Sequence, residues 1–253
     1  MTDRRTAIVT GGSGGIGKAC AAVLCERGYD VVLTARREAE LAAAAAELGC
    51  RYVAADSAEP DQFAQVVAAC ERVHLLVHAA GILQGTFVRK ERIEDFDTVI
   101  RSNLRSTFVV SRGVLEAMPV GGRIVIISSS AGAVPMKGRA AYSASKGAVD
   151  AFAEVLRQEV VRDGIHVNLV VPAPVETAML DTVTFQMHVI QAGDVAQAVA
   201  YLDALDPRVV LPRIDLSAVD SGPLAPQPLV PPAAAATAKA KAKKGRQVLK
   251  AVP

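Results

Sequence analysis

Short apolar runs alternate along the chain with longer segments in which apolar residues recur every three or four positions. The runs have the length of buried strands, and the longer segments have the period of helices that pack on one face. The predicted strands are 6–10, 30–34, 51–55, 73–78, 123–128, 165–171 and 208–216. The first predicted helix runs from a glycine turn to residue 28. The other predicted helices are 38–48, 61–72, 91–118, 140–163 and 194–206. This alternation predicts an α/β fold, a doubly wound parallel sheet with helices on both faces.

The composition agrees with one large α/β domain. The 253 residues are 51% hydrophobic and only 4% aromatic, which suits Ala- and Val-rich helices packed closely on a parallel sheet. We expect the domain to span residues 1–220. Residues 221–253 are rich in Pro, Ala and Lys and contain no acidic or aromatic residue, so this basic tail is expected to be disordered in isolation. We interpret it as a solubilising tail; the alternative is a weak, salt-sensitive contact with a polyanion.

The cysteines and the N-terminus favour a cytoplasmic protein. Cys20, Cys25, Cys50 and Cys70 form no C-x-x-C pair and no spacing of a secreted disulfide framework. The first residues contain no apolar signal-peptide region, and no stretch reaches the roughly eighteen apolar residues of a membrane span. We therefore expect no membrane partner.

A glycine-rich turn joins the first predicted strand to the first predicted helix. It fits two spacings of dinucleotide-binding loops, G-x-G-x-x-G from Gly12 to Gly17 and T-G-x-x-x-G-x-G from Thr10 to Gly17. Glycine permits a tight turn and the close approach of a pyrophosphate, and a helix N-terminus supplies amide donors. The turn therefore predicts a Rossmann-like dinucleotide site; the alternative is a glycine turn without a ligand.

The end of the second predicted strand carries Arg36 and Arg37 where an NAD-binding loop would place an acidic residue. A guanidinium suits the 2′-phosphate of NADP(H), whereas a carboxylate would repel it. The sequence therefore favours NADP(H) over NAD(H), with a solvated arginine pair as the alternative. Asp56, just past the third predicted strand, could reach an adenine amino group or cap the helix that follows.

Tyr142 and Lys146 stand four residues apart, downstream of the serines at 128–130. On a helix they would share one face, and a nearby ammonium favours the phenolate of a tyrosine. A serine hydroxyl could then bond the same substrate oxygen; the alternative is a surface tyrosine beside a solvated lysine. His74 and His78 share a face of one strand, but nothing else has metal-ligand spacing, so no metal site is expected.

Together these features resemble the short-chain dehydrogenase/reductase family over residues 5–217. The resemblance rests on several motifs in the family's order rather than on any one of them. The motifs are TGGSGGIG at 10–17, Asp56, HAAG at 78–81, Asn103, ISSSAG at 127–132, YSASK at 142–146, Asn168 and PAPVET at 172–177.

The resemblance implies a role for each member of a catalytic set. Tyr142 would exchange a proton with the substrate oxygen, and Ser129, thirteen residues upstream, would hydrogen-bond that oxygen. Lys146 would lower the tyrosine pKa and hold the nicotinamide ribose, while Asn103 would position a water that connects Lys146 with solvent. The implied cofactor-binding residues are Gly11, Ser13, Gly15, Ile16, Gly17, Arg36, Arg37, Asp56, Ala79, Ala80, Gly81, Tyr142, Lys146, Pro172, Val175 and Thr177.

Three positions depart from the family pattern. His78 replaces an asparagine; because imidazole can still donate to a backbone carbonyl, we expect altered sheet bonding rather than altered chemistry. PAP at 172–174 replaces the usual Pro-Gly, and the added proline stiffens the segment and removes an amide donor. Only about sixteen residues separate Thr177 from Asp194. We therefore expect an open substrate site, or one closed by another subunit or a partner.

These residues predict an oxidoreductase that transfers a hydride between NADP(H) and a carbonyl or secondary alcohol of a small molecule. The alternative is an NADP(H)-binding regulatory or scaffold protein with little turnover, whose basic tail contacts a polyanion. The resemblance also implies a homodimer or homotetramer, paired through the helices that carry Asn103 and Tyr142. The segment Ala178–Ala192 would line the pocket, and its apolar residues suggest an apolar or mixed substrate.

Overall fold

The computed structural model describes residues 4–177 and 188–219. Two predictions lie outside these residues: the basic tail at 221–253 and most of the segment expected to line the substrate pocket. In the part of the chain that is described, no helix combines the length and the apolar character needed to cross a membrane.

Strands and helices alternate along the described chain. The strands are β1 (Thr6–Thr10), β2 (Asp30–Ala35), β3 (Arg51–Ala54), β4 (Leu75–His78), β5 (Arg123–Ile127), β6 (His166–Pro172) and β7 (Arg213–Leu216). The α-helices are α1 (Gly15–Glu26), α2 (Glu38–Leu48), α3 (Pro60–Ala68), α4 (Ile93–Ile100), α5 (Ser106–Val114), α6 (Ala140–Val160) and α7 (Ala192–Asp203). All strand pairings are parallel, in the order β3-β2-β1-β4-β5-β6-β7. This doubly wound parallel sheet confirms the predicted Rossmann-like fold.

The predicted bounds hold within a few residues except at the last strand. That strand begins at Arg213 rather than at residue 208. Residues 206–209 form a turn, in which the Asp206 carboxylate accepts a hydrogen bond from the Arg208 amide at 2.8 Å. Pro212 has no amide to give to a ladder, so the strand starts after it.

The sheet separates two apolar layers. Val9 and Leu33 face the layer that includes α1, α2 and α7, whereas Ile8 and Val32 face the layer that includes α3, α5 and α6. Strands buried on both faces in this way read as continuous apolar runs. Because both faces are covered, only the ends of the strands are open to ligands, and the carboxyl ends of the parallel strands meet at one edge.

The predicted helix at 91–118 is a continuous helical run with a π-turn inside it. Between α4 and α5, Arg101–Arg105 forms one turn of π-helix. The hydroxyls of Ser106 and Thr107 donate to the carbonyls of Ser102 and Asn103 at 2.6 Å each. Such turns occur frequently at functional sites, and this one contains Asn103.

Candidate active site

The glycine loop after β1 keeps its shape through close backbone packing. Gly11 has a φ of 68°, in the left-handed region that favours glycine. A Cβ on Gly17 would lie only 2.3 Å from the Gly11 carbonyl oxygen. α1 begins at Gly15 with no side-chain cap, so its first amides are available to an anion. The loop therefore has the form of a phosphate-binding turn.

The loops after β4 and β6 pack against this glycine loop. A Cβ on Gly11 would lie 2.9 Å from the backbone of Ala79 and Ala80, and one on Gly15 would lie 2.8 Å from Cγ2 of Thr177. The predicted cofactor residues that the structure brings to this edge are Gly11, Ser13, Gly15, Ile16, Gly17, Ala79, Ala80, Gly81, Pro172, Val175 and Thr177.

The segment that follows β6 is anchored at both of its described ends. Val175 forms a parallel bridge with Ile190, and the Ile190 amide donates to the Pro174 carbonyl at 2.9 Å. The Glu176 amide donates to the Ile190 carbonyl, also at 2.9 Å. Residues 174–176 are therefore attached to Ile190 at the carboxyl edge.

Arg36 and Arg37 follow β2 and are exposed. Arg37 forms an ion pair with Glu40 on the first turn of α2 at 3.3 Å. No carboxylate stands at the end of β2 itself, where Ala35 is the last residue of the strand. The end of this strand therefore presents positive charge to a ligand at the carboxyl edge.

Asp56 follows β3 and is surrounded by donors. Its carboxylate accepts hydrogen bonds from the Ala58 amide and the Arg101 guanidinium, both at 2.9 Å. Burial alone would raise the pKa of Asp56, but the Ala58 amide, Arg101 and Arg36 together hold it below its ordinary value. The N-cap of α3 is Glu59, so the prediction that Asp56 caps this helix is wrong. The contact with adenine stays a prediction.

Tyr142 and Lys146 lie on the buried face of α6, against the end of β5. Tyr142 is 8% exposed and shares a hydrogen bond with Ser129. The Lys146 ammonium donates to the Ile127 carbonyl at 3.0 Å. The pair is therefore not a surface tyrosine beside a solvated lysine. The choice of Ser129 among the three serines stays a prediction.

Burial dominates the pKa values of both residues. It raises the pKa of Tyr142, although the hydrogen bond with Ser129 acts in the opposite direction. It lowers the pKa of Lys146 to about 8, against the effect of the Asp150 carboxylate. Lys146 Nζ lies 6.0 Å from the centroid of the Tyr142 ring. The predicted net lowering of the Tyr142 pKa is therefore wrong for the chain alone, because desolvation of the phenolate outweighs the hydrogen bond with Ser129. The effect of Lys146 on this pKa stays a prediction.

Asn103 joins the loop after β4 to α6. Its side-chain oxygen accepts from the Ile82 amide at 2.8 Å, and its Nδ2 donates to the Ile82 carbonyl at 3.1 Å and the Ser145 hydroxyl at 3.0 Å. A Cβ on Gly81 would lie 3.1 Å from Oδ1 of Asn103 and 3.8 Å from Nζ of Lys146. Asn103 is thus close to Lys146, and its role in positioning a water stays a prediction.

His78 connects the glycine loop to the π-turn. Its Nδ1 lies 2.7 Å from the Thr10 hydroxyl and its Nε2 lies 3.3 Å from the Ser106 hydroxyl. Thr10 already accepts a bond from the Ala80 amide, and Ser106 already donates to the Ser102 carbonyl. The network is therefore satisfied when Nδ1 accepts a hydrogen bond from Thr10 and Nε2 donates one to Ser106.

The His78 ring is neutral in this network. Burial, and then the charge of Lys146, lower its pKa to about 3. The prediction that His78 donates to a backbone carbonyl is wrong, because the ring lies between the hydroxyls of Thr10 and Ser106.

The sequence motifs do not single out Asp150 and Arg101. Asp150 stands one helical turn after Lys146 and accepts a hydrogen bond from the Ser128 hydroxyl. Its spacing from Lys146 equals that of Lys146 from Tyr142, so the same i, i+4 rule would have found it. The contact between Arg101 and Asp56 joins distant parts of the chain, and no local pattern indicates it.

An apolar groove of about 620 Å³ runs beside the N-terminal half of α6. Its walls include Phe87, Pro135 and Met136, and none of the four predicted catalytic residues lines it. The groove is therefore distinct from the site formed by the catalytic set.

Comparisons with known proteins agree with this geometry. A family model described as short chain dehydrogenase matches residues 5–187. A 3-oxoacyl-(acyl-carrier-protein) reductase of Rickettsia bellii is 33% identical over 213 residues, which cover 78% of this chain and 88% of that protein. A variant of actinorhodin polyketide ketoreductase, solved with NADPH, is 30% identical with a TM-score of 0.77, covering 88% of this chain and 98% of that one. A short chain dehydrogenase of Burkholderia cenocepacia in complex with NADP is 31% identical with a TM-score of 0.76, covering 85% and 96%.

The parallel sheet, the glycine loop and the buried tyrosine and lysine define a Rossmann-like protein with a dinucleotide-type site. The chain belongs to the short-chain dehydrogenase family, which is a family of oxidoreductases. The family predicted from the motifs is thereby confirmed.

Proposed function

We propose that the protein is an NADP(H)-dependent oxidoreductase that interconverts a carbonyl and a secondary alcohol on a small molecule. The observation that carries this proposal is the buried pair of Tyr142 and Lys146, with the half-buried Ser129 beside the tyrosine. A phenol and a serine hydroxyl that share a hydrogen bond can both reach one substrate oxygen. The oxidoreductase family and the structural neighbours solved with NADPH or NADP support the proposal.

The residues at the carboxyl edge fit a dinucleotide with a 2′-phosphate. The uncapped start of α1 at Gly15 offers its amides to the pyrophosphate. Arg36 and Arg37 suit the 2′-phosphate, and Asp56 would accept a hydrogen bond from the adenine amino group. When bound, the nicotinamide supplies or accepts the hydride.

The protein's own side chains handle the proton. In reduction Tyr142 gives its proton to the substrate oxygen, while Ser129 donates a hydrogen bond to the same oxygen. The buried Lys146 ammonium stabilises the phenolate that remains. Because burial raises the pKa of Tyr142, the phenol stays protonated near neutral pH, which suits the reductive direction.

Replacement of the tyrosine hydroxyl tests this function. Tyr142→Phe keeps the ring and removes the acid, so kcat for reduction of a panel of ketones and quinones with NADPH should fall at least about 100-fold. Binding of NADPH, followed by fluorescence, should stay within about threefold. Tyr201→Phe, at an exposed tyrosine on α7, is the matched control and should leave both quantities unchanged.

Unchanged turnover in Tyr142→Phe would remove the assigned role of the tyrosine. NADPH binding by the wild type without turnover of any compound in the panel would favour the regulatory or scaffold alternative.

Cofactor choice has its own test. Loss of hydrogen bonds to a charged phosphate in the double variant Arg36→Ala, Arg37→Ala should raise the Kd for NADPH by about 10- to 100-fold. The Kd for NADH should change little, since NADH has no 2′-phosphate. Arg208→Ala, at an exposed arginine near β7, is the control. Calorimetry that shows equal wild-type affinity for NADH and NADPH would make the predicted preference wrong.

We also propose that the protein forms a homodimer or homotetramer through α5 and α6. Phe108 of α5 and Phe152 of α6 meet edge-on with ring centroids 6.0 Å apart, and Phe108 remains 48% exposed. Val155 on α6 is 53% exposed. Adjacent apolar side chains on two helices favour pairing with a second copy. Light scattering should give a dimer or tetramer for the wild type and a smaller species for Phe108→Lys; a monomeric wild type would contradict the proposal.

A further inference from the structure

The buried active face of α6 continues one turn beyond Lys146. Tyr142, Lys146 and Asp150 follow one another at four-residue spacing, so their side chains lie along one face of the helix. Each of them contacts a different one of the consecutive residues 127–129 at the end of β5. A row of three contacts therefore attaches the end of β5 to α6, and two of the three belong to the proposed catalytic set.

Asp150 is held from two sides. One carboxylate oxygen accepts a hydrogen bond from the Ser128 hydroxyl, and the other lies 3.1 Å from Nη1 of Arg213 on β7. Arg213 also pairs with Asp215 at 2.7 Å. The side chain of Asp150 is 18% exposed. Its charge is therefore screened less by solvent and salt than that of a surface carboxylate.

Asp150 is the acidic member of this row, and its negative charge acts on Lys146. Burial lowers the pKa of Lys146 to about 8, and the Asp150 carboxylate acts against that lowering. The groups that face this pair in the described part of the chain are Tyr142 on α6, His78 at the end of β4, Asn103 in the π-turn and, behind Asp150, Arg213 and Asp215 on β7.

We propose that Asp150 is a positioning residue of this active site, which fixes Ser128 and the adjoining Ser129 and keeps a positive charge on Lys146, while Arg213 moderates its effect. The inference rests on the proposed oxidoreductase function. A negative charge beside the tyrosine and lysine favours the protonated form of both groups, and a positive charge favours the deprotonated form of both. Removal of the Asp150 charge and removal of the Arg213 charge must therefore shift their titration in opposite directions.

The direct measurement is the titration of Lys146 by NMR in protein labelled with carbon-13 lysine, with the signal assigned through Lys146→Arg. Asp150→Asn should move the midpoint to lower pH by about one unit, and Arg213→Met should move it to higher pH by about half a unit. The second shift is smaller because Arg213 is more exposed than Asp150, so solvent screens its charge more strongly. In alcohol oxidation with NADP, the rising limb of kcat/KM against pH should shift in the same two directions.

Three further variants separate charge from packing. Asp150→Glu keeps the carboxylate and should restore the midpoint to within about 0.3 unit of the wild type. Glu154→Gln, at an exposed glutamate one turn further along α6, should leave it unchanged. Ser128→Ala keeps the Asp150 charge but removes its hydrogen bond, so kcat should fall about tenfold with little change in the midpoint.

An unshifted Lys146 midpoint in Asp150→Asn, or shifts of the same sign in Asp150→Asn and Arg213→Met, would overturn the proposal. If Asp150→Asn does not fold, Arg213→Met decides alone: an upward shift supports the proposal and no shift overturns it. The NMR titration needs no substrate. If the two variants shift the Lys146 midpoint in opposite directions but the wild type has no turnover, the proposed function is contradicted. The relation between the charges of Asp150, Arg213 and Lys146 is then still supported.

Discussion

The two halves of the carboxyl edge present different chemical groups to a ligand. The glycine half, residues 10–17 with Arg36 and Arg37, offers uncapped backbone amides and exposed cations. The tyrosine half, residues 127–129 with the α6 segment 142–150, offers buried and half-buried side chains that are bonded to one another. In the glycine half, access of a ligand to the backbone amides depends on the absence of side chains. In the tyrosine half, the position of the polar groups depends on side chains that are held in place by burial. Substitutions should therefore act through steric overlap in the glycine half and through charge and desolvation in the tyrosine half.

The largest expected effect concerns His78, which contacts Thr10 of the glycine half and whose pKa is lowered by the charge of Lys146 in the tyrosine half. The pKa of His78 is about 3 in the fold and 6.5 in the unfolded chain, so the unfolded state binds the proton first as pH falls. The stabilisation is present above pH 6.5 and is lost toward pH 3, a total of about 4 to 5 kcal/mol. In His78→Asn, the slope of the free energy of unfolding between about pH 4 and 6 should be shallower by about 1.4 kcal/mol per pH unit. Urea titrations at several pH values measure this slope. Equal slopes in the wild type and in His78→Asn would mean that the ring is charged in the fold.

The next effect tests the steric requirement of the glycine half. Gly17→Ala places a Cβ 2.3 Å from the Gly11 carbonyl oxygen, so the backbone must move. We expect a loss of about 3 kcal/mol in the free energy of unfolding and at least about 100-fold weaker NADPH binding. Gly14→Ala is the matched control in the same loop, since its Cβ would be 3.3 Å from that oxygen. If both variants bind NADPH as tightly as the wild type, close packing does not control this half.

An effect of comparable size is expected at Lys146. Removal of its charge should stabilise the fold at neutral pH, whereas Gly17→Ala should destabilise it. The pKa of Lys146 falls from 10.5 to about 8 in the fold, so the unfolded state binds more protons between these values. The stability of the wild type should therefore rise by about 3 kcal/mol as pH increases through this window. Lys146→Met should lack this rise and be at least as stable at neutral pH, while kcat falls at least about tenfold. A variant that is both less stable and still pH-dependent would contradict the assignment.

The smallest effect is expected at Arg101, which contacts Asp56 after β3. Its side chain is 38% exposed and pairs with Asp56 at 2.9 Å and Glu59 at 2.6 Å. Because exposed ion pairs contribute little, Arg101→Gln should lower the free energy of unfolding by less than about 1 kcal/mol and change NADPH affinity by less than about fivefold. Thermal unfolding and calorimetry measure the two quantities. A loss of cofactor binding would instead show that Arg101 orients Asp56 for adenine.

The fold was largely predictable because strands of a parallel sheet are buried on both faces and read as continuous apolar runs. β1, β2 and β5 illustrate this, since the observed bounds follow the apolar runs closely. The π-turn at Arg101–Arg105 was not predictable from apolar spacing, because side-chain hydroxyls of the following turn hydrogen-bond its carbonyls. The start of β7 was predicted wrongly because the turn at 206–209 and Pro212 interrupt an apolar pattern.

The amino-acid sequence by itself determined the alternation of strands and helices, the glycine turn and the four-residue spacing of Tyr142 and Lys146. Each of these is a local feature that needs only the period of a strand, a turn or a helix. Only the tertiary structure decided that the pKa of Tyr142 is raised, that His78 is neutral and that Asp150 completes the row. These properties depend on burial and on groups from strands and helices far apart in the chain, and local spacing contains neither.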